Sequence, residues 1–264
     1  VMDIADYHAH PALGSSRLRE LLKSPAHFRA NMRRETEALA LGSLVHTLVL
    51  EPHTFSERYL VVPKINGATK AGKAQKAALA TETRTVVNEE VMAEARACAD
   101  SLMAHKVYQQ IHEAQTEHTV FWDEDVSWQD ERGNQVTAKV RCKARFDVVG
   151  PWLVDVKTTR DASSRGFSRA IATYGYHIQA AHYLAGALAN GLEPRGFLFA
   201  CVETEPPYLS AGYLLDTPSI SQGETERQAA LLTFAKCTKS GVWPGYNDDE
   251  MVAINLPTWA QRSD

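Results

Sequence analysis

From Val136 to Asp147 apolar and polar side chains alternate along the chain. A period of two predicts a long strand, running on to residue 149. Val136, Ala138, Val140, Cys142, Ala144 and Phe146 share one face, and Thr137, Lys139, Arg141, Lys143, Arg145 and Asp147 share the other. One face is therefore apolar, and the other is a row of cations ending in a carboxylate. Gly150-Pro151 turns the chain, and residues 152–158 read as the next strand. Upstream, residues 117–122 and 126–128 read as two short strands, followed by the turn signal Glu131-Arg132-Gly133-Asn134. Residues 196–202 and 209–215 read as two more strands.

Elsewhere the period changes. Ser15 or Ser16 is placed to cap a first helix with Leu18, Leu21 and Leu22 on one face, and Pro25 restarts the chain. A third helix is expected over residues 35–50, stopped by Pro52. Residues 59–62 are strand-like and lead into a polar, lysine-rich loop up to residue 81. One or two amphipathic helices follow over residues 86–113, and helical pattern returns at 167–172, 177–190 and 220–239. This order of helices, strand meander, helix and strands predicts an α/β fold with a mixed central sheet flanked by helices.

Hydrophobic residues make up 44% and charged residues 23% of 264 residues, as in an ordinary globular chain. That length suits a single domain, divided by texture into a mainly helical part (1–113), a core (114–240) and a tail (241–264). The net charge of −4 gives no overall basic footprint, so contact with nucleic acid would need local patches. The four cysteines form no C-x-x-C pair and read as reduced, buried thiols, which points to the cytoplasm. The apolar run 38–50 is too short to cross a bilayer, and no membrane association is expected.

The chemistry concentrates at the strand ends. Asp155 and Lys157, two apart in Leu153-Val154-Asp155-Val156-Lys157-Thr158, share a face, while Val154 and Val156 point into the core. The Val156 carbonyl is thereby free to turn toward the same place. Two strands joined by a tight turn bring Asp147 and Asp155 together, and two adjacent carboxylates call for a divalent cation. Oxygen ligands suit Mg²⁺, with Mn²⁺ as a substitute. Lys157 is then placed to orient or deprotonate an attacking water. The plainer reading is a surface D-x-K beside a solvated strand face.

Other motifs are weaker. Gly67-Ala68-Thr69-Lys70-Ala71-Gly72-Lys73-Ala74 nearly matches a P-loop, but Ala74 replaces the metal-binding hydroxyl and Pro63 breaks the preceding strand. It reads as a mobile basic loop. His8 and His10 read as a solvated terminus. His46 lies on an apolar helix, where a core role is the default, with Gly42 one turn back leaving room beside it. Gln179 and Tyr183 share a helix face, and Tyr183 alone reads as a core aromatic.

Taken together, these segments resemble the PD-(D/E)XK nucleases, and more closely the RecE-type 5′→3′ exonucleases, relatives of lambda exonuclease and the RecB nuclease domain. The resemblance rests on Gly42-Ser43-Leu44-Val45-His46, Val49-Leu50-Glu51-Pro52, Asp155-Val156-Lys157-Thr158-Thr159, Tyr176-His177-Ile178-Gln179 and Leu256-Pro257-Thr258-Trp259-Ala260. It implies a restriction-endonuclease-like core with an N-terminal helical elaboration, in a single nuclease domain. It also implies that His46, Asp147, Asp155 and the Val156 carbonyl bind metal, that Lys157 is catalytic, and that Gln179 and Tyr183 belong to the site. Glu117 is a further candidate acid. Phe146 stands where the motif name has proline, a position that is not a ligand. Ser24 stands where iron–sulfur relatives carry cysteine, so no iron–sulfur cluster is expected. Ser15, Arg17 and Arg29 fall in helices that approach the substrate end in this family, and are candidates for a 5′-phosphate or for plain surface charge.

The implied activity is two-metal hydrolysis of linear double-stranded DNA from its ends, leaving 3′ single-stranded tails for strand annealing. A structure-specific or restriction-like endonuclease and a catalytically silent DNA-binding protein are the alternatives. The resemblance also implies a closed-ring trimer or tetramer and a RecT-type single-strand annealing partner. Within such an enzyme Lys143 and Arg145 would grip phosphates beside the scissile bond, since cations two apart on a strand recur every ~6.6 Å. If they do not, the row is a solvated strand face.

Overall fold

A computed structural model describes residues 2, 4–30, 36–247, 250–257 and 260 of the chain. Thr258 and Trp259 of the closing motif lie outside the described residues. The N-terminal part holds α1 (Ile4–Ala9), α2 (Ser15–Lys23), α3 (Pro25–Ala30), α4 (Glu37–Leu50), α5 (Phe55–Arg58), β1 (Tyr59–Val62), α6 (Lys70–Ala78), β2 (Thr85–Asn88) and α7 (Glu89–Ala104). The remainder holds β3 (Gln115–Gln129), β4 (Gln135–Val149), β5 (Leu153–Thr159), α8 (Ser164–Tyr174), α9 (Tyr176–Ala189), β6 (Phe197–Glu203), β7 (Ser210–Leu214) and α10 (Thr217–Ser240).

Five strands form a mixed sheet in the order β3-β4-β5-β6-β7, with β5 and β6 parallel and the other neighbours antiparallel. Side-chain alternation divides the interior into two cores. Cys142, Ala144, Phe146, Leu153, Phe197 and Phe199 pack with Leu18 and Leu21 of α2, Ile178 and Ala180 of α9, and Leu231 of α10. Val148, Val154, Val156, Leu198, Ala200 and Val202 pack on the other side with Leu44 and Val45 of α4 and with Met92, Cys98 and Leu102 of α7. The central strands are apolar on both faces because helices cover both. All four cysteines are free and buried.

The alternation of β4 slips at one place. Phe146 belongs to the first core, yet Val148, two residues on, belongs to the second. Opposite the slip, Glu117 on β3 has a φ of +54°, uncommon for a residue with a side chain. The pairing register is the same on both sides of it, Thr116 with Val148 and His118 with Phe146. The distortion therefore re-aims side chains without shifting the strands.

Several expectations are corrected. The two short strands over 117–128 are one continuous strand, β3, of fifteen residues, all but Glu117 paired with β4. The basic loop contains a helix, α6, capped by the Thr69 hydroxyl accepting from the Gly72 amide. The strand β2, which pairs in parallel with β1, lay hidden in a stretch that reads as helix. Gly14, rather than Ser15 or Ser16, occupies the N-cap of α2.

His182 ties α9 to β4, its Nε2 lying 3.1 Å from the Lys143 carbonyl and its ring against Trp122. Burial, reinforced by the nearby Arg227 cation, lowers its pKa from 6.5 to about 4. A depressed histidine contributes stability in full above its unfolded value, and that stability is lost as pH falls toward the folded value. Between pH 6.5 and 4 this group should remove roughly 3 kcal/mol. Urea midpoints for wild type and His182→Gln across that range check it: the wild type should lose more stability on acidification than the variant.

Candidate active site

β4 and β5 pair only through Val148–Val154 and Val149–Leu153. Beyond that they diverge, and β5 continues beside β6 alone. The fork leaves the Val156 peptide groups without a ladder partner on the β4 side, and a buried peptide must find one. Its N–H donates to Asp147 Oδ2 at 2.8 Å, and its carbonyl lies 2.7 Å from His46 Nε2. His46 Nδ1 is 3.6 Å from the same Asp147 oxygen. Helix α4, seated on the second core, delivers the imidazole to the fork, where it is only partly buried. Gly42, one turn earlier, faces Thr158 of β5, where a Cβ would lie 3.2 Å from its hydroxyl. Glycine thus lets α4 approach β5 closely.

His46, Glu117 and Asp147 offer ligand atoms that all lie within 4.8 Å of one another. Asp155 stands beside this group, 1% exposed. One of its oxygens accepts from Gln179 Nε2 at 2.6 Å, and the other is ion-paired with Lys157 Nζ. Tyr183 reaches the site through its hydroxyl, bonded to Gln179, while its ring packs against Phe146 and Phe197.

The electrostatics are those of crowded anions. Burial pushes the Asp147 carboxyl up to about 7, with Asp155 and Glu117 adding to the shift while His46 and Lys157 oppose it. For Lys157, burial alone would lower the pKa, but Asp155 and Asp147 outweigh it and hold the ammonium above its ordinary value. Carboxylate, imidazole and carbonyl donors converging on a place that disfavours a bare negative charge suit a hard divalent cation. The residues fit such an ion on chemistry and on spacing.

The cation row is not the free track that its alternation suggests. Lys139 pairs with Asp125 at 2.9 Å and Arg141 with Asp123 at 3.2 Å across the β3–β4 pair. Lys143 is buried, and its ammonium donates to the carbonyls of Tyr7 and His10. Burial, then the nearby Arg17, lowers its pKa. Arg145 is also buried. It pairs with Glu117, donates to the Met2 carbonyl at 2.7 Å and approaches Glu51 at 4.0 Å. The segment before α2 lies over the row, and Leu13 bridges to Cys142 by exchanging main-chain hydrogen bonds with Arg141 and Lys143. The reading of Lys143 and Arg145 as phosphate-gripping side chains is corrected accordingly: both charges are spent inside the chain.

Ser15 is half-buried at the start of α2, and Arg29 is exposed at the end of α3. Arg17 turns inward, pairing with Glu20, donating to the Phe28 carbonyl at 2.7 Å and stacking 3.8 Å from the Phe28 ring centroid. Glu51 and Arg58, joined at 2.8 Å, extend the buried charge network behind Glu117, and sequence reasoning gave them no role. Tyr176, whose ring lies 4.8 Å from Lys157 Nζ, was also missed as a neighbour of the lysine, although it opens a motif quoted above.

Residues 14–252 match the family described as PDDEXK-like domain of unknown function (DUF3799). The chain belongs to that family. This PDDEXK-like chain also aligns with a crystal structure of a "putative exonuclease" from Eubacterium rectale, with a TM-score of 0.61 and 12% identity over 97% of each chain. That likeness shows the shared fold. A crystal structure of SSO0001 aligns at a TM-score of only 0.27, with 14% identity over 74% of this chain and 87% of that one. No curated protein matches the sequence. Among the described residues no helix is long and apolar enough to cross a membrane.

Two outcomes follow from the charge arrangement. Arg145→Ala leaves Glu117 buried without its cation, and should cost roughly 3 kcal/mol in urea denaturation. Asp147→Asn relieves the crowding while keeping an oxygen for the Val156 N–H. Without metal it should stabilise the protein by on the order of 1 kcal/mol. Mn²⁺ is expected to raise the melting temperature of the wild type and to leave that of this variant unchanged, as thermal melts with and without the ion would show.

Proposed function

We propose that this PDDEXK-like protein is a metal-dependent nuclease that digests linear double-stranded DNA from its ends. The observation that carries the reading is the Val156 peptide held between His46 and Asp147, with Asp155 and Lys157 on the same short strand. His46, Asp147, Asp155 and the Val156 carbonyl would hold the metal ions, with Glu117 as a further acid. When bound, Mg²⁺ or Mn²⁺, as a pair in the two-metal arrangement, supplies the charge that acidifies water and offsets charge growing on the phosphate and the leaving 3′-oxygen. Lys157, ion-paired with Asp155, would stand beside the ions to orient or deprotonate the attacking water. Gln179 fixes the rotamer of Asp155, and Tyr183 fixes Gln179. Arg145 holds Glu117 in place from behind.

The finer reading is 5′→3′ digestion by a RecE-type enzyme working in the cytoplasm as a closed ring, trimeric or tetrameric. Its product would pass to a RecT-type annealing protein in recombination. It is supported by the motifs around His46, Asp155 and Gln179. Exposed Arg29 and half-buried Ser15 remain the candidates for the 5′-phosphate, since Arg17 is engaged at Phe28 and Glu20.

Digestion of linear and covalently closed duplex in Mg²⁺ tests the proposal. Linear DNA should vanish while circles stay intact, and a 5′ label should be released before a 3′ label. Asp155→Ala should lower the rate by a thousandfold or more with the fold retained. Cutting of circles would make the protein an endonuclease, and binding without cutting would make it silent.

A further inference from the structure

A line of contacts runs from the candidate site to the surface. Lys157, paired with Asp155, sits with its Nζ 4.8 Å from the centroid of the Tyr176 ring. The Tyr176 ring in turn lies 5.6 Å, centroid to centroid and tilted by 33°, from the ring of Tyr174. Tyr174 is 53% exposed. An aromatic ring left half in water at the outer end of such a line forgoes apolar burial that its neighbours Ile171 and Phe167, one and two turns back on α8, obtain.

The ring is exposed, but its backbone is pinned. Tyr174 is the last residue of α8, and Gly175 follows in the left-handed conformation at φ +63°, its N–H bonded to the carbonyls of Ala172 and Ile171. Arg19 of α2 lies over Gly175, where a Cβ would meet the arginine stem at 2.7 Å, and its guanidinium donates to the Tyr174 carbonyl. A guanidinium has five N–H donors, so this bond leaves capacity for an anion beside the ring. Arg165 and Arg169, four apart and exposed on α8, add positive charge to the same helix.

We infer that Tyr174 is a stacking platform for an unpaired base of the strand whose phosphate reaches Asp155 and Lys157, with Arg19 beside it for a neighbouring phosphate. This inference rests on the nuclease reading and names how that site holds its substrate. A flat ring takes any base, because every base has a π-face, so the platform contributes grip without sequence preference. It also keeps the frayed end of a duplex from re-pairing in front of the site.

The test uses the full chain and a duplex with one frayed end carrying 2-aminopurine, in Ca²⁺. Fluorescence anisotropy of a distal label gives affinity, and 2-aminopurine emission at saturation reports stacking. Wild type and Tyr174→Phe should both quench the emission. Tyr174→Leu, with a melting temperature matching wild type, should bind roughly tenfold more weakly and leave the emission high at saturation. Equal quenching by Tyr174→Leu overturns the platform and leaves the nuclease reading standing. Absence of DNA binding by the wild type overturns both.

Discussion

The peptide group of Val156 is the constraint around which the site is assembled. Where β5 leaves β4, a buried N–H and a buried C=O lose their ladder partners, and leaving either unmade costs more than a typical hydrogen bond gains. Asp147 and His46 close both, at 2.8 and 2.7 Å. The same two side chains are thereby fixed within reach of each other and of Glu117. Structure and chemistry are not separable here. The groups that complete the strand edge are those that a divalent ion would also use, so the site is held in shape by the needs of the backbone.

The second determinant is the distribution of charge. A row of cations next to an acidic site would, if solvated, make a DNA track. Here Lys143 and Arg145 are consumed by the carbonyls of residues before α2 and by Glu117. The outer pair, Lys139 and Arg141, is offset by Asp125 and Asp123 on β3. Exposed positive charge lies elsewhere, for example on Arg29 at the end of α3, on Arg19 of α2, on the lysines of α6 and on the arginines of α8.

Much of this was legible in the sequence, for local reasons. The strict alternation of residues 136–147 marks β4, and D-V-K on an apolar strand marks β5, because period and polarity report directly on which face is buried. The meeting of Asp147, Asp155 and Lys157 follows from a short turn. His46 was ambiguous: an apolar helix favours a core histidine, and only a contact 110 residues away turns its ring toward Val156. The fate of Lys143 and Arg145 was illegible for the same reason: both donate to main-chain carbonyls more than 130 residues earlier, which have no signature in residue type, and only the Glu117 carboxylate paired with Arg145 has one. The split of β3 into two strands was wrong because Asp123, Glu124 and Asp125 look like a turn. Across the sheet they face Arg141, Val140 and Lys139, which makes them acceptable in a strand.

The α4 contact has a bearing on when the protein becomes dangerous to its substrate. Asp147, Asp155 and Lys157 are near neighbours in the chain and gather as soon as one hairpin forms. The imidazole joins them only after the helical first third has docked on the sheet. Closing so long a loop is slow compared with forming a hairpin. A nascent or partly unfolded chain therefore carries the acids and the lysine but lacks the nitrogen donor. Any chemistry needing the whole set is withheld until the contact between α4 and the sheet has closed.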